Sequence, residues 1–371
     1  MPIRTLFLFG TRPEAVKLCP VVRKLRAAPD VYDVKVCVTA QHRAMLDQVL
    51  GLFGVVPDID LNLMQPGQTL SQSSSRMIAA LEPVMQEVRP DIAIVQGDTT
   101  TTFCGALAAF YARVPVAHIE AGLRTWDIHQ PFPEEMNRVL TGRLAAHHFA
   151  ATQWAADNLA KEGVAASSIH VTGNTGIDAV LHVRDRLESG EVISARDWSF
   201  LNPSKRLIVV TAHRRESFGS GFERICKALL KIAARGDVEI VYPVHPNPNV
   251  MEPVNRLLAG NPAIHLVEPL DYIPFVDLMR RAYLLITDSG GVQEEGPSLG
   301  KPILVLREKT ERPEAVEAGT VKLVGTDENR IVSEARLLLE NEDFHASMTR
   351  VHNPYGDGRA SDRIFDLIRS F

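Results

Sequence analysis

The stretch that decides the fold is residues 284–306, LLITDSGGVQEEGPSLGKPILVL. Two short apolar runs, 284–286 and 303–306, flank a polar turn and a pair of glutamates, Glu294 and Glu295. Apolar runs without polar alternation read as strands covered on both faces, as in a parallel sheet. Ser289, Gly290 and Gly291 then fall after a strand and before a helix. Backbone N–H groups are free there, and the glycines let an anion approach with no Cβ in the way.

The same rhythm recurs on either side. Residues 5–10 (TLFLFG), 34–40, 91–98, 114–122, 147–152 and 168–174 read as strands, with helical stretches between most of them. It restarts at 206–214, 238–245, 263–270, 283–290 and 301–306. Residues 188–205 break it and contain no clear strand. The expected fold class is α/β: two doubly wound parallel-sheet halves with a polar cleft between them. The boundaries are placed at 1–172 for the first domain and 173–356 for the second. The tail, about 357–371, forms a further helix.

Composition bounds the function. The 371 residues are 45% apolar and 23% charged, with a net charge of −5, so a general nucleic-acid partner is not expected. No run approaches the roughly 20 apolar residues of a membrane span, and a cytoplasmic protein is expected. Cys19, Cys37, Cys104 and Cys226 lack disulfide or zinc spacing and read as small buried apolar residues. No metal or cofactor is expected. The first turn, FGTRPEA, is not G-x-G-x-x-G, and neither a P-loop, a G-x-S-x-G nor an H-E-x-x-H motif occurs.

Ligands of an open parallel sheet bind outside the carboxyl ends of its strands. Those ends carry Arg12, Asp98, Glu120, His213, His245, Asp288 and Ser289. Each has a bland reading alone: Asp98 before four threonines reads as a helix cap, and Glu134 and Glu135 as first-turn carboxylates answering a helix dipole. Their accumulation at one edge of both halves argues for a site. Thr11 and Glu14 have capping-box spacing, which puts Arg12 at the end of the first strand and Lys17 about a turn into the following helix. Composition and spacing thus lead to a binder or transferase of a phosphorylated, nucleotide-linked small molecule.

Ten motifs go further. FGTRPEAVK, TAQHRAMLDQVL, GDTTTT, HIEAGLRT, PFPEEMNR, TAHRRESFG, VYPVHPNP, TDSGGVQEEGPSLGKP, ERPEAVEAGT and HNPYGDG occur in this order, over most of the chain. Together they resemble the non-hydrolysing UDP-N-acetylglucosamine 2-epimerases of bacteria. The resemblance implies a GT-B-like fold whose last helix crosses back onto the first domain. It implies interconversion of UDP-N-acetylglucosamine and UDP-N-acetylmannosamine by elimination of UDP to 2-acetamidoglucal and re-addition, feeding surface polysaccharide synthesis. A homodimer is the family default.

By this resemblance Asp98, Glu120, Glu134 and His213 occupy catalytic positions. Arg12, Lys17, Phe275, Ser289, Gly290, Gly291, Glu295 and Arg312 occupy substrate-binding ones, with Ser289 to Gly291 on the diphosphate and Glu295 on the ribose. Gln41, Glu135, Arg214 and His245 match a second, activating UDP-N-acetylglucosamine site found in some members. Gln96 stands where a His is often found, and Trp126 where a small residue is. The competing readings are a GT-B glycosyltransferase, a hydrolysing epimerase, and a catalytically inactive sugar-nucleotide sensor.

Overall fold

A computed structural model describes residues 1–39, 43–65, 67–310, 312–350 and 352–371, without the side chains of 43 and 44. The chain divides into two compact units, Met1–Ala179 with Tyr355–Phe371, and Val180–Pro354.

The first unit holds strands β1 (Ile3–Phe9), β2 (Tyr32–Val38), β3 (Ile59–Asp60), β4 (Ile92–Gln96), β5 (Val116–Ala121), β6 (His147–Ala150) and β7 (Ile169–Val171). The second holds β8 (Arg206–Thr211), β9 (Val238–Pro243), β10 (Ile264–Val267), β11 (Leu284–Thr287), β12 (Ile303–Val305) and β13 (Val321–Leu323). The sheet orders are β3-β2-β1-β4-β5-β6-β7 and β10-β9-β8-β11-β12-β13. Every pairing among the described strands is parallel. Leu6, Phe7, Leu8 and Phe9 of β1 are fully buried, as are Leu284 and Ile286 of β11. The unbroken apolar runs therefore have the cause read from the sequence: helices cover both faces.

Each sheet order reverses once, between β1 and β4 in the first unit and between β8 and β11 in the second. These are the switch points at which doubly wound sheets open a crevice at their carboxyl edge. Two strands escaped the sequence reading. β3 has two residues and β13 three. Both lie at a sheet edge, and neither offers a run long enough to reveal a period.

The tail forms a helix, Ala360–Arg369, that packs within the first unit. Lys24 pairs with Asp362 at 2.6 Å, and the Tyr32 and Phe365 rings meet edge to face at 5.0 Å. Asp178 accepts the Ser361 and Ala360 N–H groups at 2.7 and 3.2 Å, holding the start of that helix. Residues 189–205 contain neither helix nor strand. The four cysteines are free and buried, and burial pushes the thiols of Cys19, Cys37 and Cys226 up to about 12 and of Cys104 up to about 11. No helix among the described residues is long and apolar enough to cross a membrane.

Candidate active site

In the first unit the polar groups gather where β1, β4 and β5 end. Arg12 opens the helix Arg12–Arg26 and is half-buried. Glu14, two residues on, is buried: its Oε2 accepts the Gly10 and Thr11 N–H groups at 3.0 and 2.8 Å. Its Oε1 accepts the hydroxyls of Thr99 and Thr102 at 2.7 and 3.2 Å. Burial raises the Glu14 carboxyl above its ordinary value, against the lowering effect of these donors. Lys17, further along the helix, reaches Glu120 and forms a largely buried ion pair with it. The Gln96 amide donates to the other oxygen of Glu120. Glu120 sits at φ +62° beside a register shift between β5 and β6, so backbone strain aims this side chain.

Asp98 does not cap the helix Thr100–Tyr111. Thr99 does, its hydroxyl accepting the Thr102 N–H at 3.1 Å. The shorter side chain one residue later has the cap geometry, and Asp98 is freed to pair with Arg138 at 2.7 Å. The Asp98 carbonyl accepts from the Asn137 amide at 2.9 Å, so both contacts come from the helix Glu134–Leu144. Glu134 begins that helix, half-buried, and lines a pocket of about 540 Å³ with Thr11, Gly67, Thr99, Pro133 and Asn137. A larger pocket, about 1070 Å³, opens at the amino ends of the strands around Arg4, Tyr32 and Asp91, away from these carboxylates.

Glu135 is buried and turned into its own loop. Its Oε1 accepts the Thr125 and Trp126 N–H groups at 2.9 and 3.1 Å, and Arg138 lies 3.4 Å from its other oxygen. Trp126 is 58% exposed at φ +65°, so its ring leaves the core side of that loop free.

In the second unit the polar groups gather where β8, β9 and β11 end. Asp288 is fully buried and its Oδ2 accepts the backbone N–H groups of His213 and Arg214, both at 2.7 Å. Its Oδ1 lies 3.4 Å from His213 Nδ1. The His213 ring stacks on that of His245, with centroids 5.3 Å apart. Burial pushes the His213 imidazole below its ordinary value; Asp288 pulls it back up, while Arg214 and His245 push it further down.

Ser289 precedes the helix Gly290–Glu295. Arg312 lies over Gly290 so closely that an added Cβ would come 2.5 Å from its Cζ. Glu294 holds this guanidinium, accepting from Arg312 Nε at 2.7 Å with both side chains largely buried. Thr310 bridges Gln293 and the Arg312 N–H at 2.8 and 3.2 Å. Glu295 is half-buried, as is Phe275 on the helix Tyr272–Arg281. The Tyr272 hydroxyl is buried near Glu295, which together with burial raises it well above its ordinary value. Gln41 lies outside the described residues. Among the described residues no group of three or more His, Cys, Asp or Glu is placed to hold a metal ion.

The family model for UDP-N-acetylglucosamine 2-epimerase matches residues 23–369. The UDP-N-acetylglucosamine 2-epimerase of Salmonella typhimurium is 55% identical over 100% of this chain and 99% of its own. The chain belongs to the UDP-N-acetylglucosamine 2-epimerase family. The Escherichia coli K12 enzyme of that name is also 55% identical, over 99% of both chains. Among solved structures, the Neisseria meningitidis UDP-GlcNAc 2-epimerase bound to UDP-GlcNAc superposes with a TM-score of 0.91, at 45% identity and over 100% of both chains. The Methanocaldococcus jannaschii enzyme, in complex with UDP-GlcNAc and UDP, gives 0.81 at 32% identity, again over 100% of both chains. With two doubly wound parallel sheets in one chain, the epimerase fold is GT-B-like.

Several residues that hold these side chains carry no motif signal of their own. Arg138 faces Asp98, Gln96 holds Glu120, Asp288 holds His213 and Glu294 holds Arg312. The one local signal was the three-residue spacing of Glu135 and Arg138, which places them on one helix face. The others join residues 18 to 75 positions apart, and only strand order brings them together.

Proposed function

We propose that the protein interconverts UDP-N-acetylglucosamine and UDP-N-acetylmannosamine without net hydrolysis, supplying the latter for bacterial surface polysaccharide. The observation that carries this reading is the carboxylate array at the carboxyl edge of the first sheet: Glu120 gripped by Lys17 and Gln96, Asp98 paired with Arg138, and Glu134 on a pocket wall. The full-length relatives support it, two of them solved with UDP-GlcNAc.

The C2 proton of the sugar is barely acidic, so its removal must be coupled to loss of the diphosphate from C1. A base takes the C2 proton while the C1–O bond breaks with its electron pair leaving on UDP. The products are 2-acetamidoglucal and UDP. Re-addition reverses both changes, with the proton delivered to the opposite face of C2. Two faces require two proton-handling groups, and Asp98, Glu120 and Glu134 are the candidates. His213 and Arg12 stabilise the departing diphosphate. Lys17 and Arg312 add positive charge to substrate binding. In the turn Ser289–Gly290–Gly291 the glycine N–H groups and the Ser289 hydroxyl serve the phosphate, the Ser289 N–H being held by Thr287, while Glu295 takes the ribose hydroxyls and Phe275 lies against the uracil.

An NMR time course in deuterated buffer tests the reading. UDP-N-acetylglucosamine alone is expected to convert to the manno epimer with deuterium at C2. Conversion without deuterium would refute elimination. Release of free N-acetylmannosamine with UDP would make the enzyme hydrolysing, and inertness without an acceptor would point to a glycosyltransferase. A Glu134→Gln enzyme with full activity would remove that residue from the proton-handling set.

A further inference from the structure

The carboxylate of Asp288 does two things with two oxygens. Oδ2 takes both backbone N–H groups of the loop after β8, from His213 and Arg214, at 2.7 Å each. Oδ1 is buried, has no hydrogen-bond partner among the described residues, and lies 3.4 Å from His213 Nδ1. A buried carboxylate oxygen without a donor is costly, and the imidazole beside it is the group that can supply one. Such contacts are commonly long in ligand-free enzymes and tighten when substrate arrives.

We infer that Asp288 is a positioning residue that fixes the tautomer of His213, keeping a proton on Nδ1 so that the second proton, taken up at Nε2, is the one the imidazolium donates to the anionic ligand. The inference rests on the proposed role of His213 toward the departing diphosphate. A histidine whose Nδ1–H is held by a carboxylate has its ring orientation set and gains its second proton only at Nε2. The groups facing the ring are Asp288, Arg214 and His245. Of these only Asp288 favours the imidazolium; the other two and burial oppose it. Without Asp288 the ring loses the one neighbour that favours a proton on Nδ1.

Asp288→Asn isolates this role. A single amide oxygen in the place of Oδ2 keeps both backbone bonds, and the amide NH2 then faces Nδ1. The imidazole must become an acceptor there and carry its proton on Nε2. The ring nitrogens can be followed by 15N NMR of the ligand-free protein, with His213→Gln identifying the signal among the 12 histidines. The expected result is a switch from Nδ1–H to Nε2–H and a fall of about one pH unit or more in the titration midpoint of His213. With it kcat should drop about a hundredfold or more while KM changes little. In the His213→Gln background the same substitution should cost nothing further.

An unchanged tautomer in Asp288→Asn overturns the inference, as does a full switch with kcat within twofold of wild type. An additional loss in the His213→Gln background would show that Asp288 acts through the fold alone, and also overturns it. If Asp288→Asn does not fold, the wild-type spectrum decides: Nε2–H in the resting protein overturns the inference. A wild-type protein inactive on UDP-N-acetylglucosamine would count against the proposed function, while the tautomer readout would still decide this one.

Discussion

Gly290→Ala should separate ligand binding from folding. An alanine Cβ at 290 would lie 2.5 Å from Arg312 Cζ and 2.6 and 2.7 Å from its two terminal nitrogens. Contacts that short do not persist, so the guanidinium must leave its place over the turn. The backbone at 290 lies outside the left-handed region, so alanine brings no φ strain, and within a helix it gains up to about 1 kcal/mol over glycine. The thermal midpoint reads separately any loss of the buried Arg312–Glu294 pair, which would lower it. If Arg312 donates one charge-assisted hydrogen bond to phosphate, its loss costs roughly 1.5–3 kcal/mol, or about ten- to a hundredfold in Kd for UDP. Calorimetric titration with UDP measures this. Arg312→Ala and the double variant complete a cycle, in which the two costs should not add. UDP affinity within twofold of wild type in Gly290→Ala would refute the reasoning. Fully additive costs would also refute it, because the alanine would then be blocking the N–H groups of the turn and not displacing the arginine.

Two further outcomes follow from buried ionisable groups. Glu135→Ala leaves the Thr125 and Trp126 N–H groups without their carboxylate, and should lower stability by roughly 2–3 kcal/mol in urea unfolding; a change under 0.5 kcal/mol, read against that scale, would show the loop does not depend on it. His118 is fully buried with Nε2 2.7 Å from the Gly97 carbonyl, and burial pushes its imidazole down to about 3. The folded value lies below the unfolded one, so stability is complete above about pH 6.5 and declines as pH falls, by about 1.4 kcal/mol per pH unit, until the folded imidazole itself protonates. Between pH 7 and pH 5 this residue should account for about 2 kcal/mol, and His118→Gln should lose that much less than wild type. Equal losses in the two proteins would contradict the assignment.

What could be read from the sequence was local. The spacing of Thr11 and Glu14 announced a helix start, and Glu14 does accept the Thr11 N–H at 2.8 Å. That the same carboxylate takes hydroxyls from Thr99 and Thr102 could not be read, because those residues meet it only once β4 pairs with β1. The reading of Asp98 as a cap failed for a related reason. Asp and Thr both cap helices, and adjacent candidates are told apart only by which one has the extended backbone and reach of the cap position. Once Arg138 is seen beside Asp98, the choice is clear. The role of Glu294 has no local signal, because its partner, Arg312, lies beyond two intervening elements.

The two sheets solve one mechanical problem with the same device. A switch point is where neighbouring strands send their helices to opposite sides, so the loops leaving it diverge and expose backbone donors. In the first unit Glu14 closes this gap, taking N–H groups from the loop after β1 with one oxygen and, with the other, hydroxyls from Thr99 in the loop after β4 and Thr102 in the helix that follows. In the second unit Asp288, from the loop after β11, takes two N–H groups from the loop after β8. Each carboxylate is buried and close to side chains proposed to meet the ligand: Glu14 stands two residues after Arg12, and Asp288 directly precedes Ser289 and binds the His213 backbone. Apolar side chains could fill the same space but would leave those N–H groups unsatisfied. A buried carboxylate satisfies both loops at once and so fixes the backbone from which the ligand-facing side chains start. On this argument the acidic residues of the two edges divide into two kinds. Glu14 and Asp288 hold loops, while Asp98 and Glu120 are held by side chains, Arg138 in one case and Lys17 with Gln96 in the other.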